Sequence, residues 1–132
     1  MYRLVYVSTA AVDLDETELE VLLGPSRVKN ETTGVTGLLV QIQDSAGGPT
    51  FYLQHLEGLY EAVERTYRRI SLDELHTEVT VVRRDDEEGR WFAGRPMRLV
   101  TLTVGPEQSA ADLVRDPAAV LKLISTYAEP NG

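Results

Sequence analysis

The chain has 132 residues and a formal net charge of −8, with 21 acidic and 13 basic side chains. This length is typical of one domain with a single core, and so acidic a surface repels a phosphate backbone, which argues against a nucleic-acid partner. The sequence has no cysteine, which excludes disulfides, thiolate metal sites and a cysteine nucleophile. No window is apolar for long enough to form a signal peptide or a membrane span, so we expect a cytoplasmic protein without a membrane partner.

The first half of the chain predicts a strand, a helix and a hairpin. Residues 3–8 are rich in β-branched and aromatic side chains and favour a strand. Asp13 or Asp15 can cap the following helix, whose leucines recur at helical spacing until Gly24-Pro25, where we expect the helix to end. A polar stretch, 27–33, precedes a hairpin of two strands, 34–43 and 50–56, joined by the turn 44–49.

The second half predicts another helix, two strands and a helical tail. Apolar spacing favours a helix over 60–72, with an inner face formed by Tyr60, Val63, Tyr67 and Ile70. A β-branched run predicts a fourth strand at 77–82, and a charged loop separates it from a fifth strand at 97–104. Two short helices follow at 109–114 and 117–128, the second with Asp116 as its cap and Pro117 in its first turn.

This order of elements predicts an α+β fold, a ferredoxin-like β-α-β-β-α-β sandwich with an added fifth strand and a short C-terminal helical tail. We expect residues 1–104 to form the domain and residues 105–132 to form an extension that packs on the sheet or mediates homo-oligomerisation. Both roles stay open because either would bury the apolar face of the extension, which consists of Val114, Val120, Leu121, Ile124 and Tyr127.

Few residues stand in a pattern typical of catalysis or metal binding. His55 and His76 are the two histidines, and neither has an acidic residue at a recognised metal-ligand spacing. The sequence contains no nucleophile elbow and no phosphate loop, so we predict neither an enzyme nor a metal site. Glu57 could act as an acid or base, but its place at a strand end favours a cap for the next helix.

A set of neutral hydrogen-bonding residues stands among apolar neighbours on the predicted strands. Tyr6 and Ser8 lie on the first strand, Gln54 on the third, and Asn30 just before the second. Taken singly, each has an ordinary role as a core aromatic, a backbone-bonded amide or a turn residue. A buried glutamine without a partner costs about 1–3 kcal/mol, however, so Gln54 implies a polar partner inside the domain. A heteroaromatic ligand would supply one.

Four segments that contain these residues resemble the BLUF family, sensors of blue light using FAD. They are LVYVSTA at 4–10, SRVKNETTGVTGLLV at 26–40, FYLQHLEG at 51–58 and RRISLDELH at 68–76. The third is the most specific, and together the segments span most of residues 2–104. The short tail also resembles that of BLUF proteins without a separate effector domain.

The resemblance implies a photoreceptor that binds FAD non-covalently, with FMN as the alternative, in a site between the two helices. Tyr6 is then the light-dependent electron and proton donor, and Gln54 is the amide that bridges Tyr6 to the flavin. Asn30 holds the flavin C4 carbonyl and N3, while Asp73 and His76 match positions near the ribityl chain and the ring. Two further residues belong to the implied signal relay, Met97 on the fifth strand and Arg95 just before it.

Two departures from the family pattern concern the same regions. Arg95 stands where the family usually has tryptophan, which bears on signal output, and Leu75 replaces a basic residue before His76, which bears on flavin affinity. The main alternative is therefore a ferredoxin-like regulatory or interaction module that no longer binds flavin. An acylphosphatase-like hydrolase would need an anion loop that the sequence lacks. In the photoreceptor reading, output requires contact with a downstream protein partner or a second copy of the chain.

Overall fold

The computed structural model describes residues 1–128, in which five strands and four helices follow one another. They are β1 (Tyr2–Ala10), α1 (Glu16–Thr33), β2 (Thr36–Asp44), β3 (Phe51–Gly58), α2 (Tyr60–Ser71), β4 (His76–Asp86), β5 (Arg98–Val104), α3 (Ala110–Arg115) and α4 (Pro117–Tyr127). The sheet order is β4-β1-β3-β2-β5, with β5 parallel to β2 and the other neighbours antiparallel. The predicted ferredoxin-like α+β fold with an added fifth strand is confirmed.

Strand alternation divides the core into two layers, because successive side chains point to opposite sides of a sheet. Helices α1 and α2 cover one side, called here the helix-pair face, whose strand residues include Leu4, Tyr6, Tyr52 and Leu56. Helices α3 and α4 cover the other side, called here the tail face, whose strand residues include Val5, Val7, Val40 and Leu53.

The C-terminal extension contributes its apolar face to the core. Val120 and Ile124 on α4 are fully buried with the strand residues of the tail face, and α3 adds Leu113 and Val114. Asp116 caps α4 through bonds to the first-turn amides, with Pro117 at the start of the helix, as the sequence predicts. The remaining residues of the predicted extension, 129–132, lie outside the described residues.

Helix α1 does not end at Gly24-Pro25, so that prediction is wrong. The helix begins with a capping box between Asp15 and Glu18 and runs to Thr33, where Gly34 ends it in the left-handed region at φ 76°. Pro25 is exposed, so water can solvate the carbonyl that the proline leaves without its helical partner. Tertiary contacts on both sides of Pro25, by Leu23 and Asn30, hold the helix together.

Three smaller predictions also need correction. Strand β4 extends to Asp86 because it pairs with β1 up to Tyr2. Tyr60 does not face inward but is 61% exposed, with its ring edge against Tyr2. Glu57 does not cap α2, which begins after Leu59 without a side-chain cap.

No helix among residues 1–128 is both long and apolar enough to cross a membrane.

Candidate functional site

The centre of the helix-pair face holds a short chain of side-chain hydrogen bonds. Tyr6 on β1 lies directly opposite Gln54 on β3, so their side chains meet on the same face. The Tyr6 hydroxyl donates to Gln54 Oε1, and Gln54 Nε2 donates to Met97 Sδ at 3.3 Å. All three residues are buried. The Gln54 amide therefore accepts a hydrogen bond from Tyr6 through its oxygen and donates one to Met97 through its nitrogen.

Tyr6 is held as a neutral phenol. Its side chain is fully buried, and its ring contacts the rings of Tyr67 and His76 at centroid distances of 5.6 and 6.0 Å. Burial raises the pKa of the Tyr6 hydroxyl well above its ordinary value, and nearby Tyr67 and Asp73 act in the same direction. The phenol thus keeps its proton and remains a hydrogen-bond donor to Gln54.

Asn30 is a helical residue, because α1 continues past Pro25. It is fully buried, its Nδ2 donates to the Pro96 carbonyl at 2.6 Å, and its Oδ1 has no hydrogen-bond partner among residues 1–128. Arg27, one turn earlier, donates from Nε to the Met97 carbonyl at 2.9 Å. Helix α1 therefore holds the carbonyl groups of Pro96 and Met97. Asn30 is connected to Gln54 through these two residues rather than by direct contact.

A narrow pocket of about 90 Å³ opens between α1 and α2 on this face. Its walls are mainly apolar, with Gln54 and the Tyr52 ring at its base, and the Tyr52 hydroxyl is buried without a hydrogen-bond partner in the described part of the chain. Asp73, Leu75 and His76 line its rim. Apolar walls with unpaired polar groups suit a flat ligand with polar edges. Ligand pockets usually measure roughly 300–1,000 Å³, so a ligand of several fused rings would have to move α1 and α2 apart.

A β-bulge turns His76 toward the pocket. Val7 pairs with Thr80, but Thr9 pairs with Thr77, so β4 has one extra residue here, and Glu78 adopts φ 52°. The extra residue reverses which side chains of β4 point to which side of the sheet, and it places His76 on the helix-pair face. There His76 Nδ1 lies 2.8 Å from the Ser8 hydroxyl. Burial lowers the pKa of His76, although Asp73 acts in the opposite direction.

The two other predicted residues lie at the edges of the site. Asp73 is exposed, and its Oδ1 accepts the Leu75 amide at 2.9 Å, which shapes the turn into β4. Arg95 is also exposed, and its carbonyl accepts the Gly37 amide at 3.1 Å. A Cβ on Gly37 would lie 2.0 Å from the His55 carbonyl oxygen, so only glycine permits this close approach.

Sequence reasoning missed Arg27. It stands four residues after Leu23 and three before Asn30, a spacing that puts all three on one helix face. A helical pattern continued through Pro25 would have identified it.

A ferredoxin-like sheet with a pocket of neutral hydrogen-bonding groups beneath two helices defines a ligand-binding module. The chain belongs to the BLUF family, described as sensors of blue-light using FAD, since the model of that family matches residues 1–98. It is by family a flavin-binding blue-light sensor, and BLUF domains are themselves sensors rather than enzymes.

Three solved structures share the fold over nearly the whole chain. BlrB, a BLUF protein in its dark state, is 26% identical with a TM-score of 0.73, covering 95% of this chain and 92% of BlrB. A bacterial light-regulated adenylyl cyclase is 27% identical with a TM-score of 0.68, covering 95% of this chain and 33% of the cyclase. BlrP1 from Klebsiella pneumoniae, solved with FMN and cyclic diGMP, is 27% identical with a TM-score of 0.65, covering 98% of this chain and 30% of BlrP1.

This chain thus spans about a third of the length of the cyclase and of BlrP1. Comparison with curated protein sequences gives no match.

Proposed function

We propose that the chain senses blue light through FAD held between α1 and α2, and that Tyr6 and Gln54 form its switch. The observation that carries the proposal is the continuous hydrogen-bond chain from Tyr6 through Gln54 to Met97. Residues 1–104 would form the flavin-binding unit, and residues 105–132 would form its C-terminal extension.

Unpaired polar groups of the helix-pair face support flavin binding. Asn30 Oδ1 and the Tyr52 hydroxyl are buried without partners among residues 1–128, and each such group costs about 1–3 kcal/mol. We infer that Asn30 holds the polar edge of the ring at the C4 carbonyl and N3. Asp73 and His76 would lie near the ribityl chain and the ring. A bound flavin supplies absorption of blue light and an electron-accepting ring.

The amide of Gln54 gives the site two alternative hydrogen-bond patterns. Tyr6 holds a proton at Oη, which a light-driven step can displace together with an electron. Rotation of the Gln54 amide would turn Nε2 toward Tyr6 and Oε1 toward Met97, exchanging donor and acceptor without a change of net charge. The Met97 sulfur would then lose its donor. The start of β5 would thereby be biased between two arrangements.

The rim of the pocket bears on the choice between FAD and FMN. Leu75 offers no charge to a phosphate, so contacts to the FAD tail would come from the arginines of α2: Arg65, Arg68 and Arg69. BlrP1 was solved with FMN, which makes FMN the alternative ligand. Acid release of the flavin from the purified chain, followed by chromatography, distinguishes the two. A colourless protein that takes up neither added FAD nor FMN would contradict the proposal and favour a module that has lost flavin.

Output is proposed to occur by contact, because a sensor without turnover must be read by a partner. The reader would be a downstream protein or a second copy of the chain. Light scattering after size-exclusion chromatography, in darkness and under blue light, tests the second case.

The switch is tested by Gln54→Leu. We expect this variant to keep its flavin and to lose the light-induced red shift, because Gln54 alone connects Tyr6 to Met97. Tyr6→Phe should also lose the shift, since it lacks the phenolic proton. The double variant should match either single variant, as expected for residues that act as a unit.

Difference spectra before and after blue illumination provide the measurement. Gln43→Leu is the matched control, since Gln43 lies at the end of β2 outside this pocket. A normal red shift in Gln54→Leu would refute the assignment of Gln54 as the switch.

A further inference from the structure

The tail face contains a cluster of three ligand-type side chains that the flavin site does not use. His55 and Glu57 stand two residues apart on β3 and therefore point to the same side of the sheet. Glu87 follows directly after β4. His55 Nε2 lies 3.1 Å from Glu57 Oε1 and 3.7 Å from Glu87 Oε1, and the three ligand atoms lie within 4.8 Å of one another.

The cluster is closed to solvent and short of positive charge. The side chains of His55 and Glu57 are fully buried, and that of Glu87 is 4% exposed. Neither oxygen of Glu87 has a hydrogen-bond partner among residues 1–128. Arg3 approaches Glu87 Oε2 only to 3.7 Å, because its guanidinium makes two bonds to Asp85 at 2.9 and 3.0 Å. Two buried carboxylates thus face each other with little compensation, which is costly without a cation or a proton.

Glu57 is already oriented as a metal ligand would be. Its Oε1 accepts the Trp91 amide, and its Oε2 accepts the Phe92 amide, both at 2.9 Å. The Thr36 hydroxyl donates to Oε2 at 2.7 Å. Hydrogen bonds of this kind fix the carboxylates that bind metals in proteins.

We propose that His55, Glu57 and Glu87 bind one Zn²⁺ ion, with water as the fourth ligand. One imidazole nitrogen and two carboxylate oxygens form a donor set that zinc accepts and that magnesium or calcium does not favour. Zinc bonds to nitrogen and oxygen of about 2.0–2.2 Å place tetrahedral ligand atoms about 3.4 Å apart. This lies between the 3.1 and 3.7 Å that separate His55 Nε2 from the oxygens of Glu57 and Glu87. The site lies on the side of the sheet opposite the flavin pocket and does not depend on flavin binding.

The ion would have a structural role. His55 and Glu57 belong to β3, whereas Glu87 belongs to the connection between β4 and β5. Binding would cross-link the sheet to the segment that continues through Trp91 and Phe92 to Met97.

The test is zinc titration of the full chain, purified without a histidine tag and dialysed against a chelator. Calorimetry should give one Zn²⁺ per chain. Trp91 is the only tryptophan, and its ring stacks on His55 at 5.7 Å and 13°, so its emission should change with the same midpoint. A hundredfold excess of zinc over Kd should raise Tm by roughly 10 °C. Absence of binding at millimolar zinc would overturn the proposal and leave a shared proton as the compensating charge.

Variants assign the ligands. Glu87→Gln keeps the side-chain shape and should weaken zinc binding at least tenfold. Glu88→Gln, which makes the same charge change at an exposed neighbour, should bind as the parent does. His76→Gln removes the other histidine and should also bind normally. Equal affinity in Glu87→Gln and the parent, or loss of binding in His76→Gln, would show that zinc binds elsewhere.

Discussion

The two faces of one sheet differ in the kind of polar group that each buries. Strand β3 supplies Gln54 to the helix-pair face and His55 and Glu57 to the tail face, because alternate residues point to opposite sides. The helix-pair face holds neutral donors and acceptors beside a pocket. The tail face holds an ionic cluster inside a closed apolar core. Neutral groups can exchange hydrogen bonds at small cost, whereas buried charges hold one arrangement.

One segment contacts both faces. Glu57 binds the amides of Trp91 and Phe92, and five residues later Met97 accepts the bond from Gln54. The tail face therefore holds one end of the segment, at Trp91 and Phe92, and the helix-pair face holds the other end, at Met97. The comparison predicts that substitutions on the tail face act mainly on stability, and that substitutions on the helix-pair face act mainly on light response.

The largest expected effect comes from Glu57→Ala. The change leaves the Trp91 and Phe92 amides and the Thr36 hydroxyl without their acceptor inside a closed core, and we expect a loss of roughly 3–5 kcal/mol in the free energy of unfolding. Gln54→Leu should lose roughly 1–3 kcal/mol, because it leaves unpaired only the Tyr6 hydroxyl and the weakly accepting Met97 sulfur. Urea denaturation in the presence of a chelator measures both.

Glu88→Ala serves as the control for the change of charge, and its exposed position should make it nearly neutral. A loss in Glu57→Ala no greater than that in Gln54→Leu would contradict the difference between the faces.

An effect of intermediate size, on flavin affinity, is expected at the rim of the pocket. Leu75 is half-buried there, and Leu75→Arg would offer a charge-assisted hydrogen bond to a flavin phosphate. We expect flavin affinity to increase at least tenfold, because a hydrogen bond to a charged group contributes roughly 1.5–3 kcal/mol. Leu72→Arg is the control, because Leu72 is 79% exposed and does not line the pocket. Unchanged affinity in Leu75→Arg would mean that the polar tail runs elsewhere, with the arginines of α2 as the next candidates.

The sequence predicts the order of elements because the strands carry a clear alternation and the turns carry glycine and proline. It fails at α1, where Pro25 is a local stop signal that tertiary contacts of Leu23 and Asn30 override. Local sequence rules give the cost of a proline inside a helix. They cannot predict contacts between residues far apart in the chain, such as the bond from Asn30 to Pro96.

The site is predictable in part for a similar reason. Tyr6 and Gln54 follow from strand registers, which alternation indicates. The direction of His76 depends on the bulge at Glu78, a two-against-one pairing that no local pattern announces. The sequence favours a helix cap for Glu57 because its partners in the fold, the amides of Trp91 and Phe92, are 34 and 35 residues away.

The smallest expected effect concerns how the free energy of unfolding depends on pH. Each face of the sheet carries one histidine, His76 on the helix-pair face and His55 on the tail face. Burial lowers the pKa of His76 in the folded chain, while the unfolded chain keeps the ordinary value near 6.5. As pH falls below that value, the unfolded state takes up the proton first, so His76 makes the fold less stable toward acid.

His76→Gln cannot take up this proton. We therefore expect the stability difference between the variant and the parent to shift in favour of the variant between pH 7.5 and 5.5. Urea denaturation of both proteins at the two pH values measures it, and His55 and the carboxylates common to both cancel in the difference. A difference that stays constant with pH would mean that His76 titrates normally, and the pocket rim would then be as open to water as the exposed surface.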